Sequence, residues 1–181
     1  MGKNYWMVVE TLENHRITRE MGYKMIGFGQ PFRRRVQRMQ RDDMVLFYVN
    51  TIKAWTATAS VTSDYFEDFT PVWQPTTRGE QYPFRVNLRP DITLEQSQNI
   101  DALMLAPRLD YTKRWTPEDW PLAFADRLHL LPQKDYRLIE SEMRRASGRM
   151  GRPQKRRRRK PQGQPQLAGA AAVVQGETQG Q

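Results

Sequence analysis

Short apolar blocks separated by polar breaks run through most of this chain, and few of them are long enough for a helix. Tyr5 to Glu10 (YWMVVE) is dense in β-branched and aromatic side chains and reads as a buried first strand. Thr11 to Asn14 is polar and predicts a break, after which Thr18 to Met25 suits a short helix. Gly27-Phe28-Gly29-Gln30-Pro31 reads as a loop, on two glycines and a proline. From Phe32 to Gln40, Phe32, Val36 and Met39 recur at helical spacing among arginines, which predicts one or two amphipathic turns. Asp42-Asp43 punctuates, and Met44 to Asn50 (MVLFYVN) is the strongest strand in the sequence.

Ala54 to Thr62 (AWTATASVT) alternates and predicts a hairpin partner for that strand. Tyr65 to Pro75 reads as an aromatic loop. Phe84, Val86, Leu88, Ile92 and Leu94 then predict one or two further strands between Tyr82 and Leu94. Ile100 to Leu109 suits a short helical turn and Leu128 to Leu131 a last short strand. Asp135 is placed to N-cap a terminal helix carrying Tyr136, Ile139 and Met143 on one face. Many short strands with few long helices predict an α+β chain, a small mixed barrel with helices packed around it.

Composition adds a boundary. All five Trp, seven Tyr and seven Phe precede Gly148, beyond which Gly, Pro, Gln and Arg dominate. A segment without large apolar side chains cannot offset the entropy of ordering itself. The expectation is one folded domain over 1–147 and a disordered basic tail over 148–181. Charge divides at the same place: of the net +9, the tail carries eight Lys/Arg against Glu177 and the domain only +2. The high isoelectric point is therefore a property of the tail more than of the fold.

There is no cysteine, so disulfides and thiolate metal sites are excluded. The opening MGKNYWMVVE has too short an apolar stretch for a secretory signal, and no run approaches the roughly 18 apolar residues of a membrane span. A soluble, cytoplasmic protein with no membrane partner is expected. His15 and His129 are too few for a histidine metal site, and no nucleophile elbow, phosphate loop or dinucleotide fingerprint is present. No metal, cofactor or catalytic residue is expected, and Gly27-x-Gly29 reads as a turn.

Two features admit more than one reading. Arg33, Arg34 and Arg35, with Arg38 and Arg41, form either a solvated face or a phosphate-contacting patch. Trp55, Trp73, Trp115 and Trp120 are core residues, or one or two of them line a pocket where a flat base stacks. In the tail, Arg156, Arg157, Arg158, Arg159 and Lys160 are a cationic run suited to nonspecific phosphate contact.

Read together, several segments resemble the EVE domain family, a branch of the PUA-like superfamily related to YTH domains. Tyr5-Trp6, Glu13-Asn14-His15 and Gly27-Phe28 fit its opening pattern, and Arg38-Met39-x-x-Asp42-Asp43 is similar to its turn before a barrel strand. Tyr82-Pro83-Phe84-Arg85-Val86, Lys113-Arg114-Trp115 and Asp135-Tyr136-Arg137-Leu138-Ile139 are also like family segments, so the resemblance spans roughly 4–143. It departs where Asp42 replaces the usual turn glycine and His15 stands where many members have Trp.

The resemblance implies a PUA-like mixed β pseudobarrel with flanking short helices and a concave pocket for a modified base, flipped from DNA or carried by RNA. It implies that Asn14 hydrogen-bonds the base, with His15 beside it, and that Gly27 allows close backbone approach. Phe28, Tyr48 and Trp115 would supply walls, and Arg85 and Arg114 would face phosphate or the base edge. The expected function is a non-catalytic nucleic-acid-binding module whose partner is modified DNA or RNA. The alternatives are an enzyme on a nucleotide or small anion in the same pocket, and a protein–protein adaptor whose basic tail alone touches nucleic acid.

Overall fold

The computed structural model describes residues 2–149. Strand β1 (Tyr5–Glu10) leads into helix α1 (Leu12–Glu20), strand β2 (Met25–Phe28) and the one-turn helix α2 (Arg33–Val36). Strands β3 (Met44–Val49), β4 (Ala54–Val61), β5 (Phe66–Glu67), β6 (Phe84–Thr93) and β7 (Ile100–Asp101) follow. Helix α3 (Ala102–Leu105), strand β8 (Leu128–Leu130) and helix α4 (Gln133–Arg149) complete the chain. The sheet order is β2-β6-β4-β3-β1-β8; β1 and β3 are parallel and every other pair is antiparallel.

Side-chain parity divides the core in two. On β1, Trp6 and Val8 join one cluster and Met7 and Val9 the other; on β3, Val45 and Phe47 part from Leu46 and Tyr48 in the same way. The first cluster also takes Ile26 and Phe28 of β2, at the far end of the sheet order, and Leu128 of β8. Strands at the two ends of this six-strand order share one cluster only because the sheet curls into a half-barrel around it. The second cluster lies on the opposite face, where Tyr136, Ile139 and Met143 of α4 pack with Trp55, Trp120 and Phe124. With both faces covered, every residue of β4 is buried.

The curl follows from β6. Its first half pairs with β2 (Phe84↔Phe28 to Asn87↔Met25), and its second half pairs with β4 (Leu88↔Val61 to Thr93↔Ala57). Pro90, which cannot donate to a ladder, sits where the β4–β6 register shifts. The two edge strands then meet through side chains. Arg127, just before β8, donates from Nη2 to the Gly27 carbonyl of β2 at 3.3 Å and lies 5.9 Å from the Phe28 ring centroid.

Several expectations are corrected. Helix α1 begins at Leu12, because Thr11 is its N-cap and accepts from the Asn14 amide. Residues 25–28 are a strand, with Gly27 paired opposite Arg85. Asp135 lies inside α4, where its carboxylate accepts from the amides of Asp110 (2.9 Å) and Tyr111 (2.7 Å), so it anchors a facing loop instead of capping. Helix α4 continues through Gly148 and Arg149, which the composition had assigned to the tail; the rest of the expected tail, 150–181, lies outside the described residues.

Asp42 occupies the left-handed region at φ 70°, and its amide donates to the Val61 carbonyl at 2.9 Å. That backbone is why a glycine suits this turn. Asp42→Gly is expected to match or exceed the parent in stability, and Asp42→Ala to fall about 1 kcal/mol below the glycine variant. Urea midpoints for the three proteins decide it; an alanine variant as stable as the glycine one would show that the turn carries no strain.

Candidate nucleic-acid site

Where β1 ends, α1 presents a polar face to the interior. Glu10 is 1% exposed; its Oε2 lies 3.1 Å from His15 Nδ1, and its Oε1 accepts from the Thr18 hydroxyl at 2.7 Å. Thr18 in turn accepts from the Trp73 indole at 2.9 Å, and His15 Nε2 lies 3.3 Å from the Tyr23 hydroxyl. Asn14 brackets the Gln74 backbone, donating to its carbonyl at 2.9 Å and accepting from its amide at 2.7 Å. Each of these side chains finds its partners on the chain itself, as burial demands. Together they clamp the loop of residues 68–82 over the barrel.

Arg85 belongs to the same clamp. It is 2% exposed and donates to Asp68 (2.7 Å), to the Tyr82 carbonyl (3.1 Å) and to the Thr70 carbonyl, with its guanidinium 5.5 Å from the Trp73 ring. Hydrogen bonds from Thr70, and then the Arg85 charge, hold the Asp68 carboxyl below the usual range. Gly27 lies flat under Trp73, so the close approach it allows is that of an indole. Phe28 is fully buried. The structure thus gathers Asn14, His15, Gly27, Phe28 and Arg85 around Trp73, but as packed groups whose polar atoms already have partners.

The other expected site residues stand elsewhere. Tyr48 faces the second cluster, its ring 5.8 Å from Trp55 and 5.0 Å from Phe124, and burial pushes its hydroxyl up to about 12. It cannot share a wall with Phe28, because the two lie on opposite faces of the sheet. Arg114 and Trp115 lie on the surface, where Trp115 is 42% exposed. The single pocket expected from sequence is therefore three separate places. Of the arginine patch, Arg33 pairs with Glu67 at 3.1 Å and Arg35 with Asp126 at 3.1 Å, while Arg34 is exposed. Arg156 to Arg159 lie outside the described residues.

Of the concavities on the described surface, two lie side by side near the end of β1. One, of about 330 Å³, is at the barrel mouth, lined by Val9 and Thr11 at the end of β1, Phe32, Asn50 after β3, Thr76, Arg127 and the acidic residues Glu80 and Asp126. The other, of about 610 Å³, lies beside it between Tyr111, Arg114, Trp115, Leu122 and His129. Arg127 is the residue that sequence reasoning missed. Its guanidinium lies 4.4 Å from the Tyr82 centroid, the tightest cation–aromatic stack described. Only its place just before a predicted strand hinted at the barrel rim. Burial lowers the His129 pKa; its neutral ring donates from Nε2 to the Asp126 carbonyl at 2.7 Å and accepts from the Tyr111 hydroxyl at 2.8 Å.

No family model matches the chain. A UPF0310 protein of Pyrococcus abyssi is 26% identical over 151 residues, spanning 76% of this chain and 98% of that protein. Among solved structures, the YTH domain of mmi1 in an RNA complex superposes with a TM-score of 0.60 at 12% identity, over 83% of this chain and 87% of that one. The fold is that of the YTH domains. The YTH domain of Zygosaccharomyces rouxii MRB1, in complex with N6-methyladenosine RNA, gives a TM-score of 0.55 at 14% identity over 78% and 86% of the two chains. A hypothetical protein from Leishmania major gives 0.55 at 16% identity over 81% and 98%.

Proposed function

We propose that this chain is a nucleic-acid-binding module of the EVE type that takes up a single base, modified or flipped, at the barrel mouth without transforming it. The mouth cavity carries the reading. Its volume suits one base, its walls include Phe32 and Arg127, whose guanidinium lies 4.4 Å from the Tyr82 centroid, and Thr11, Asn50 and Thr76 supply polar groups to read a base edge. The site residues that the resemblance implies support that mouth from behind: Asn14 and His15 hold the clamp, and Gly27 carries the carbonyl to which Arg127 is tied. YTH domains of the same fold have been captured with RNA, one of them with N6-methyladenosine RNA, which favours a base as ligand. Both histidines direct their ring nitrogens to partners within the chain, which favours binding over acid–base chemistry.

Fluorescence anisotropy of the full chain with single-stranded DNA and RNA of about 12 nucleotides tests this. Oligonucleotides carrying one N6-methyladenine or one 5-methylcytosine are compared with unmodified strands. At least one modified strand should bind about tenfold more tightly than its unmodified twin, a difference of about 1.4 kcal/mol. Asn50 is exposed at the mouth, so Asn50→Phe should fill the cavity and erase that preference while leaving the melting temperature unchanged. Equal affinity of the parent for all strands would remove the base-reading proposal, and turnover of any strand would return the enzymatic alternative.

A further inference from the structure

The cleft beside the mouth contains no residue that the base-reading proposal uses. It holds the chain's one exposed indole: Trp115 is 42% exposed, whereas Trp6, Trp55, Trp73 and Trp120 are at most 4% exposed. Trp is highly buried on average, and the other four here follow that rule, so this ring stands apart. The backbone that carries it is held, because Asp135 fixes the loop through the amides of Asp110 and Tyr111, and the Trp115 amide donates to the Thr112 carbonyl at 2.9 Å. Tyr111 is braced on its far side by stacking on Phe124, with centroids 6.1 Å apart and planes 28° apart.

Two further observations say what the cleft accepts. Ala125 and Asp126 line both the mouth cavity and this cleft, so the two concavities share one wall. The surroundings are cationic. Arg114 lines the cleft, Arg35 and Arg38 line the adjoining hollow, and the two carboxylates present, Asp110 and Asp126, are already met by Lys113, Lys134 and Arg35. An exposed aromatic ring beside Arg114 and Arg38, neither of which is in an ion pair among the described residues, is what a single strand uses, with a base on the ring and phosphate on the cations. A purely apolar peptide would leave that charge without a partner.

We infer that this cleft is a second stacking platform, on which Trp115 receives the nucleotide next to the one held at the mouth and Arg114 meets its phosphate. The register of that nucleotide rests on the base-reading proposal for the mouth, but the platform can be tested separately. Every base has a π-face, so the platform should accept unmodified strands.

The experiment uses the full chain, with residues 150–181 present in every variant, and an unmodified single strand of about 12 nucleotides at near-physiological salt. Because four of the five tryptophans are buried, quenching of indole emission on binding reports Trp115. The expected result is quenching that is lost in Trp115→Phe, with affinity largely kept by the smaller ring. Trp115→Ala should weaken binding about tenfold, and Arg114→Gln should reduce the slope of log affinity against log salt by about 0.7. Strand binding without Trp115 quenching, unchanged affinity in Trp115→Ala, or no strand binding at all would each overturn the platform. Asn50→Phe separates the two proposals: it should abolish any preference for modified strands while leaving Trp115 quenching intact.

Discussion

Asp43→Ala is expected to destabilise the fold by about 4 kcal/mol. The carboxylate is 2% exposed and accepts from four donors: the Asn4 amide (2.9 Å), Asn4 Nδ2 (3.2 Å), the Trp6 indole (2.8 Å) and the Gln40 amide (3.1 Å). It ties the start of β1 to the turn that launches β3, across the parallel pair that has no hairpin of its own to hold it. Removing it strands a buried indole N–H and part-buried amides, each costing about 1–3 kcal/mol when left without a partner. Asp43→Asn retains one acceptor oxygen and should cost about half as much. Denaturant unfolding of the three proteins measures the series. A loss below about 1 kcal/mol in the alanine variant would mean that water replaces the carboxylate and that the turn is not held this way.

Gly27→Ala should be nearly as severe, for a steric reason. A Cβ there would stand 2.4 Å from Trp73 Cζ3 and 2.8 Å from the Tyr82 carbonyl oxygen. Neither can retreat, since the indole is bonded to Thr18 and stacked on by Arg85, and Tyr82 leads directly into β6. Forcing one methyl into a closed core costs about 1–3 kcal/mol, and this contact belongs at the upper end. For a domain of this size that is a melting temperature lower by roughly 10 °C. The resemblance had cast Gly27 as room for a ligand. If Gly27→Ala melts like the parent but loses preference for modified strands, that role is restored and the packing account is wrong.

Strands β1, β3, β4, β6 and β8 were legible because their side chains alternate between two buried faces, or form apolar runs between breaks. Helix α1 was not, because its buried residues are Asn14, His15 and Thr18. A helix that turns a polar face inward leaves no apolar stripe to detect. Strand β2 was hidden by Gly27, whose small size serves close packing against Trp73 and not a turn, whereas Gly29 beyond it does open one. The Tyr48 expectation failed on parity: Phe47, one residue earlier, shares the cluster of Phe28, and a single step along a strand reverses the face. Arg85 and Arg127 show the limit of reading charge from sequence. One arginine is an interior clamp and the other a rim residue, and only the closure of the sheet tells them apart.

That closure sets how the mouth can respond to what enters it. In a continuous barrel the aperture is fixed by strand number and shear, and widening it means breaking a backbone ladder. Here the sheet order ends at β2 on one side and at β8 on the other, and Arg127 reaches across from beside β8 to the Gly27 carbonyl. The rim is therefore set by the placement of one long side chain, and moving it leaves every strand pairing intact. On the proposed reading, a base arriving at the mouth meets a seam set by one side chain on a rigid frame, so the seam and not the core decides how a methyl group on the base is received.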